Sequence, residues 1–168
     1  MLIKQRDRLF DIQPPAGLKF VYVEGKGMGL FADRDFKEGE TVIDFPNTLV
    51  STKDASTEAV QVDEDLWIDS EWLEPEAFIN HSCNPNAKLD YTPDQETSRY
   101  ATVKLISKDE EITFNYNATE WESDGFDCAC GSSNCYKHVQ GLKYLSPEQQ
   151  EALKSQLLPY LLKRLEIK

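Results

Sequence analysis

Four cysteines are the residues of this chain whose type and spacing most clearly suggest chemistry. Cys128, Cys130 and Cys135 lie in the run "CACGSSNC", and Cys83 lies far upstream in "FINHSCNPN". The opening "MLIKQRDRLF" lacks the apolar stretch of an export signal, so we expect an intracellular protein whose reduced thiols favour a metal over disulfides. Four thiolates match the closed tetrahedral shell of a structural zinc ion, which predicts one Zn2+ per chain. The alternatives are free buried thiols, a redox pair, or His138 replacing one cysteine.

Two further segments combine small and polar residues. The segment "FINHSCNPN" puts a histidine, a cysteine and three asparagines beside the apolar pair Phe78 and Ile79, which predicts a polar turn packed onto the core. The run "EGKGMGLFA" carries glycines at positions 25, 27 and 29. These permit either a tight hairpin or a close approach of the backbone to a ligand. Their spacing is not that of a dinucleotide-binding or phosphate-binding loop.

Short β-strands must position these segments. Alternating apolar residues predict strands on both sides of the glycine run and a hairpin in "AKLDYTPDQETSRYATVKLI". The run "ETVIDFPNTLV" predicts a strand that ends, or lies at a sheet edge, because Pro46 lacks a donor. One more short strand is expected in "KDEEITFNYN". Residues 51–76, which include Trp67 and Trp72, predict an irregular insert with one or two short strands or turns.

The end of the sequence predicts a helix. Ser146, Pro147 and Gln149 supply an N-cap, a proline at the first helical position and a capping-box partner. We expect one amphipathic helix, bent or broken at Pro159. Its apolar face either covers the core or forms a dimer with a second copy. That face comprises Leu153, Leu157, Leu161 and Leu165.

Composition limits the possible partners. The 168 residues fit one domain with appendages, and a formal charge of −12 argues against direct DNA or RNA binding. An acidic surface instead suits a basic partner. No apolar run approaches the roughly 18 residues that a membrane span requires, so no membrane association is expected. These totals do not distinguish cytoplasm from nucleus.

The order of the motifs adds a family resemblance. "GKGMGLFA", "FINHSCNPN", "DEEITFNY" and "CACGSSNC" follow one another, and from about Leu18 to Leu145 the chain resembles SET-domain protein lysine methyltransferases with a cysteine-rich post-SET segment. The resemblance implies a mainly β, β-clip-like fold of small curved sheets, with the "NHSC" and "ITFNY" segments crossing in a pseudoknot.

With the helix pattern, the resemblance divides the chain into four parts. We expect an N-terminal extension (1–17), a SET domain (18–118, with the insert at about 51–76), a post-SET zinc segment (119–145) and a C-terminal helix (146–168). The zinc segment would close one wall of a channel for the substrate lysine.

The resemblance also implies roles for single residues. Tyr116 falls on the family's catalytic tyrosine, and Phe114 falls on the position that tunes how many methyl groups fit. The resemblance places Phe114 and Phe45 in the substrate channel. The implied contacts of S-adenosylmethionine are Lys26, Gly27, Met28, Gly29, Asn80, His81 and Tyr116.

Three positions depart from the family pattern. Phe45 stands where many members have a tyrosine, which removes a hydroxyl from the predicted substrate channel. Ala77 replaces a common arginine, and Asp109 replaces a glycine before the Glu-Glu pair. The first change bears on substrate hydrogen bonding and on the number of methyl groups transferred.

Methyl transfer to lysine needs a neutral amine and alignment more than an acid-base pair. Burial lowers the pKa of the amine, and the Tyr116 hydroxyl can orient it. We therefore predict S-adenosylmethionine-dependent methyl transfer to a lysine of a protein substrate, a histone or another basic protein. The alternative, motivated by Phe45 and Ala77, is a zinc-stapled interaction module that has lost catalysis.

Overall fold

Short β-strands account for most of the regular structure, which confirms the mainly β class. The computed structural model describes residues 2–5, 8–11, 13–69 and 74–166, with side chains from residue 13 onward. The strands are β1 (Leu2–Gln5), β2 (Arg8–Asp11), β3 (Leu18–Val23), β4 (Gly27–Ala32), β5 (Thr41–Pro46), β6 (Leu49–Val50), β7 (Val60–Asp63), β8 (Leu66–Ile68), β9 (Asn80–His81), β10 (Ala87–Asp90), β11 (Thr97–Thr102), β12 (Thr113–Phe114), β13 (Phe126–Asp127) and β14 (His138–Val139). The helices are α1 (Pro147–Leu153) and α2 (Pro159–Glu166). Short 3-10 turns occur at Pro75–Phe78, Tyr116–Ala118, Leu142–Tyr144 and Lys154–Gln156.

The glycine run forms the bend of a hairpin. Strands β3 and β4 pair antiparallel, from Leu18 opposite Ala32 to Val23 opposite Gly27. Gly25 and Gly27 have φ values of 80° and 89°, a conformation that glycine adopts without steric cost. The glycines therefore allow the chain to reverse within three residues.

A three-stranded antiparallel sheet holds the second predicted hairpin. Its order is β10-β11-β5, so β5 is an edge strand and β11 is central. Pro46 is the last residue of β5, as expected for a residue without a backbone donor. Ser98 of β11 lies opposite Phe45, and Tyr100 lies opposite Ile43. Phe45 and Tyr100 are thus diagonal neighbours on one face, the face that is buried.

The predicted insert contains two strands that join a third. Strands β7 and β8 pair with each other, and β8 also pairs with β6, giving the order β6-β8-β7. Val62 and Ile68 are buried from this sheet into the core. Trp72 and its neighbours at 70–73 lie outside the described residues.

Strands β9 and β12 bring two distant motifs side by side. They pair in parallel, with Asn80 opposite Thr113 and His81 opposite Phe114. The next backbone bond, from Ser82 N to Phe114 O at 2.9 Å, extends this contact. Two parallel strands need a long crossover connection, here residues 82–112, and this arrangement fits the expected pseudoknot.

One core is built from all of these small sheets. The β3-β4 hairpin, the β10-β11-β5 sheet and the C-terminal helices each contribute side chains to it. The largest fully buried side chains include Tyr100, Phe36, Leu30, Ile68, Ile79, Ile106, Ile112, Leu142 and Leu161.

The C-terminal segment forms two helices rather than one bent helix. Ser146 Oγ accepts a hydrogen bond from Gln149 N at 3.3 Å, and Gln149 Oε1 accepts one from Ser146 N at 2.8 Å, so the capping box is confirmed. Helix α1 ends at Leu153, and Pro159 opens α2, because a residue without an N–H fits the first position of a new helix.

The apolar face of these helices covers the core. Leu153, Leu157 and Leu161 are 3%, 7% and 0% exposed, and Leu165 packs against the same cluster. Within the described residues, neither α-helix is long and apolar enough to cross a membrane.

The start of helix α2 and Leu158, the residue before it, contact the turn that follows β12. Leu158 N donates to Ala118 O at 3.2 Å, and the Tyr160 hydroxyl donates to Thr119 O. Glu120, the next residue, is half-buried, and burial raises the pKa of its carboxyl to about 6 against a smaller lowering by Ser123. Burial raises the pKa of both Tyr116 and Tyr160, and the ionised Glu120 raises both further.

Truncation of α2 tests whether the helix belongs to the core. We expect Leu161→Ala to lower the free energy of unfolding by about 2–5 kcal/mol, because it removes a fully buried side chain. Lys163→Ala, at an exposed position of the same helix, should stay within about 0.5 kcal/mol of wild type. Urea unfolding followed by circular dichroism measures both. Equal stability of the two variants would contradict the packing described.

Glu120 predicts a pH-dependent stability. Its pKa in the folded protein is about 6, above the ordinary 4.5. The stability that the protonated carboxyl provides is therefore fully present below pH 4.5 and is lost as the pH rises through 6. Wild type should therefore lose about 1 kcal/mol of unfolding free energy between pH 5 and pH 8 relative to Glu120→Gln, which cannot ionise. Denaturant titrations of both proteins at each pH give this difference. A gap that stays constant with pH would show that the carboxyl titrates normally.

Candidate active site

All four cysteines meet in one cluster. The Sγ atoms of Cys83, Cys128, Cys130 and Cys135 lie within 4.8 Å of one another, and Cys83 Sγ is 3.7 Å from Cys128 Sγ. Sulfur ligands around a tetrahedral zinc ion, each at about 2.3 Å, stand about 3.8 Å apart. His138 lies outside this cluster and contacts the Asp127 carboxylate at 2.9 Å. The donor set therefore fits a metal ion that favours thiolates.

The surroundings of the cysteines bear on their charge. Burial raises the pKa of the Cys83 thiol above its ordinary range and raises that of Cys128 to about 11. Burial also raises the pKa of Cys130, but contacts with Ser132 and a backbone bond to Cys83 outweigh it and bring the pKa to about 6. Two backbone groups support the sulfurs, Tyr136 N on Cys83 at 3.3 Å and Lys137 N on Cys135 at 3.4 Å. A bound cation would stabilise the thiolate form of all four.

A cleft of about 240 Å³, here called the glycine cleft, lies beside the loop that carries Cys128 and Cys130. It brings together the turn between β3 and β4 (the glycine turn), the segment from Phe78 to Asn86 (the polar turn), Tyr116 and the loop that follows β13. Its lining is Gly25, Lys26, Asn80, His81, Tyr116, Phe126, Asp127, Cys128, Ala129 and Cys130. A Cβ added at Gly25 or Gly27 would meet nothing within 4 Å, so the turn leaves open space along its backbone.

Gly29 and Asn80 join the two motifs beneath this cleft. A Cβ at Gly29 would come within 2.9 Å of Asn80 Nδ2, so only glycine allows this approach. Asn80 Nδ2 donates to Met28 O at 3.3 Å and to Glu111 Oε1 at 2.9 Å. The other Glu111 oxygen accepts from Lys26 Nζ at 2.6 Å. Glu111 therefore ties the glycine turn to the polar turn.

His81 lies between the cleft and the cysteines. Its Nδ1 accepts a hydrogen bond from Tyr116 N at 3.1 Å, and its Nε2 is 3.2 Å from Cys83 Sγ. Burial, followed by the charge of Lys26, lowers the pKa of the His81 ring to about 4. The ring is therefore neutral near pH 7, and both of its nitrogens have partners within the protein.

Tyr116 occupies the first position of the turn after β12. Its hydroxyl donates to Ile79 O at 3.1 Å, and Asn115 caps the turn by accepting from Asn117 N. Burial, and then the charges of Glu120 and Glu111, raise the pKa of Tyr116 above its ordinary value. The phenol therefore stays protonated over the working range of most proteins.

An aromatic row leads away from Tyr116. The ring of Tyr116 is 4.7 Å from Phe114, that of Phe114 is 5.0 Å from Tyr100, and that of Tyr100 is 5.5 Å from Phe45. On the other side, Phe126 lies 6.0 Å from Tyr116. The structure thus brings the predicted Phe45, Phe114 and Tyr116 into one continuous wall.

A second cleft, of about 500 Å³ and here called the acidic cleft, lies at the Phe45 end of the aromatic row. It runs along the edge strand β5 and is lined in part by Phe45, Asp44, Glu74 and Glu76. An edge strand offers backbone groups to an extended peptide, and the three acids favour a basic one. The aromatic row therefore separates an acidic cleft from the glycine cleft.

A third cavity, of about 550 Å³, lies elsewhere. It is formed by β10, β11 and the break between α1 and α2, with Lys88, Asp90 and Arg99 in its lining. None of the predicted site residues lines it. Its size alone does not make it the site of chemistry, because the motif residues converge on the two smaller clefts.

Sequence reasoning did not single out three residues of this region. Glu111 follows Glu110 in a charged run, and only the fold reveals its bonds to Lys26 and Asn80. Tyr100 could have been noticed in the sequence, because a tyrosine at a buried strand position usually needs a hydrogen-bond partner for its hydroxyl. Phe126 gave no signal within its polar segment.

Comparison with known proteins supplies a family. A family model described as SET domain matches residues 27–117. A Candida albicans protein named histone-lysine N-methyltransferase, H3 lysine-36 specific, is 30% identical over 140 residues, covering 74% of this chain and 17% of that protein. A Debaryomyces hansenii protein of the same name is 28% identical over 152 residues, covering 81% and 21%. The chain thus spans about a fifth of the length of these relatives.

Solved structures support the fold. A crystal structure of KRYPTONITE in complex with mCHG DNA and SAH has a TM-score of 0.63 at 22% identity, covering 72% of this chain and 28% of that chain. Another, with mCHH DNA, an H3(1-15) peptide and SAH, has a TM-score of 0.62 at 22% identity, covering 73% and 29%. The predicted fold is confirmed, and the cysteine cluster fits a post-SET segment.

Proposed function

The chain belongs to the SET-domain family, and on that premise we propose that it is a methyltransferase that modifies the side-chain amine of lysine in a protein substrate. The observation that carries the proposal is the aromatic row from Tyr116 to Phe45. Tyr116 lines the glycine cleft and Phe45 lines the acidic cleft. A lysine from a peptide on one side can therefore be aligned with a methyl donor on the other.

The glycine cleft suits S-adenosylmethionine, which when bound supplies a methyl group on a positively charged sulfur. Lys26, Gly27, Met28 and Gly29 would hold it through backbone atoms, and the turn leaves open space beside Gly27. Asn80 and His81 would hold it from the polar turn. Because both ring nitrogens of His81 have protein partners, we expect its contribution to come from the backbone and the ring edge.

Tyr116 positions the reacting amine. Its protonated hydroxyl, directed at Ile79 O, presents an oxygen that can accept a hydrogen bond from the lysine nitrogen. Burial of that nitrogen among Tyr116, Phe114 and Phe45 lowers its pKa, so the neutral nucleophilic form becomes accessible. Alignment in a water-poor channel supplies the remaining rate enhancement.

The acidic cleft suits a basic peptide. Asp44, Glu74 and Glu76 line it, and the whole chain carries a formal charge of −12. The two fungal relatives are named for histone H3 lysine 36. We propose histone H3, or another basic protein, as the substrate, which would place the enzyme with chromatin.

The cysteine cluster suits one structural Zn2+ held by Cys83, Cys128, Cys130 and Cys135. The ion would fix the loop after β13 against the polar turn and keep Phe126 beside the glycine cleft. This assignment supports the division of the chain into a SET domain at 18–118, a post-SET segment at 119–145 and a C-terminal helical part from 146.

A second candidate is a zinc-stapled interaction module without catalysis. It is favoured by Phe45, which lacks the hydroxyl that the family resemblance implies at this position. Calorimetry with S-adenosylmethionine distinguishes the two, since the module should not bind the cofactor.

Substitution of Tyr116 tests the catalytic proposal. We expect Tyr116→Phe to reduce methyl transfer by roughly a hundredfold or more, because the variant loses the oxygen that orients the amine. Cofactor affinity should change little. The assay is transfer of radiolabelled methyl groups to core histones and a lysine-rich protein extract. Tyr22→Phe, at a residue that is 70% exposed, is the control. Equal turnover of wild type and Tyr116→Phe would remove Tyr116 from the mechanism.

Metal analysis tests the cysteine site. We expect one zinc per chain by elemental analysis and loss of that zinc in Cys83→Ser, since three thiolates bind the ion less tightly than four. His138→Ala should keep its zinc, because His138 pairs with Asp127 outside the cluster. A metal-free protein with a fully ordered segment from 126 to 139 would defeat the assignment.

A further inference from the structure

An ion pair lies at the glycine cleft. Lys26 lines the cleft, and its Nζ is 2.6 Å from Glu111 Oε2. The two side chains are 18% and 17% exposed, so water screens their charges only in part. Among the described residues that line the cleft, the other lysine, arginine or acid is Asp127, whose side chain is 99% exposed. Lys26 is therefore the less hydrated of these two charges.

Glu111 is held in place from several sides. Its Oε1 accepts a hydrogen bond from Asn80 Nδ2 at 2.9 Å, and its backbone forms a β-bridge with Phe31. A Cβ added at Gly29 would lie 3.1 Å from Glu111 Oε1, so the glycine leaves room for the carboxylate. The carboxylate is thus fixed next to the turn that carries Lys26.

The two charges act on other residues of the cleft lining. Burial lowers the pKa of His81, and the charge of Lys26 lowers it further. Burial and the charge of Glu120 raise the pKa of Tyr116, and the charge of Glu111 adds to this. Because the charges of Lys26 and Glu111 are opposite and close together, their effects on a molecule in the cleft largely cancel.

The proposed methyl donor and its product differ by one charge. When the methyl group leaves S-adenosylmethionine, the bonding electron pair stays on the sulfur, and the lysine amine takes the methyl group and releases a proton. The product, S-adenosylhomocysteine, is therefore a neutral thioether whose other groups are unchanged. An unpaired Lys26 ammonium would repel the cationic donor more than the product.

We propose that Glu111, by neutralising Lys26, sets the preference of the glycine cleft for the cationic methyl donor over its neutral product. This inference rests on the proposed function and gives Glu111 a role in ligand selectivity that it exerts through Lys26. Since donor and product share all their other groups, the role is seen in the ratio of the two affinities.

The test removes the negative charge. Glu111→Gln keeps a side-chain oxygen for Asn80 but leaves the Lys26 ammonium uncompensated. We expect the ratio of the dissociation constants, Kd of S-adenosylmethionine over Kd of S-adenosylhomocysteine, to rise about three- to tenfold, as for two like charges in a partly solvated site. This rise should shrink in about 1 M salt, which screens the repulsion. Isothermal titration calorimetry with each ligand measures both constants.

Two variants of Lys26 test the same charge from the other side. The double variant Lys26→Met/Glu111→Gln, which has neither charge, should return the ratio to within about twofold of wild type. Lys26→Met alone leaves a carboxylate near the cleft and should lower the ratio at pH 8, where carboxylates are ionised. It also serves as the test if Glu111→Gln does not fold, and a ratio equal to or above that of wild type would then contradict the inference.

Glu110→Gln is the matched control, because it removes the same formal charge from the neighbouring residue. Glu110 is exposed and contacts Asn86 and the backbone of Ser107, so its ratio should equal that of wild type. Thermal unfolding of each variant identifies any loss of fold. If folded Glu111→Gln keeps the wild-type ratio, whether both affinities fall together or neither changes, the inference fails and the proposed function stands. A wild type that binds neither ligand overturns the proposed function, and the inference with it.

Discussion

The parallel pairing of β9 with β12 is the constraint on which the rest of the site depends. Each strand has two residues, so the contact is small and is reinforced by side chains around it. It puts Asn80 beside the glycine turn, His81 beside Tyr116 and Cys83 beside the cysteine loop. Without this crossing, the cofactor motif, the tyrosine and the metal ligands would lie on separate parts of the chain.

Buried asparagines stabilise a fold that has little regular structure. Asn86 accepts from Thr113 N at 2.9 Å and donates to Glu111 O at 2.8 Å, so one side chain substitutes for a missing strand partner. Asn117 accepts from Gly141 N at 2.8 Å and joins the turn after β12 to the C-terminal part. An amide side chain can both donate and accept, which suits places where two irregular backbones meet. These residues cost free energy if they are buried without partners.

Short-range sequence patterns predicted the features that depend on neighbouring residues. The alternating residues of both hairpins, Pro46 at a strand end and the capping box at Ser146 are short-range signals, and the structure confirms them. The four cysteines were predicted together because metal chemistry demands a complete ligand set.

Long-range packing was outside the reach of those patterns. Nothing local indicated that Glu111 bonds to Asn80 and Lys26, or that α2 contacts the turn after Tyr116, because these contacts follow from the crossing of distant segments. The sequence predicted one helix bent or broken at Pro159, but it did not show that α1 ends as early as Leu153. The sequence indicated only that Tyr100 lies in a strand, and the register of β11 with β5 places it beside Phe45.

The hydrogen bonds of His81 fix how the metal cluster and Tyr116 are connected. Tyr116 N can only donate, so His81 Nδ1, at 3.1 Å, must present its lone pair. The proton of the neutral ring then resides on Nε2, which faces Cys83 Sγ at 3.2 Å. An N–H directed at that sulfur stabilises the thiolate, the form that a metal ion requires. One ring thereby orients the backbone of Tyr116 and prepares Cys83 as a ligand, so the geometry of the proposed catalytic turn and that of the metal cluster are set by the same side chain.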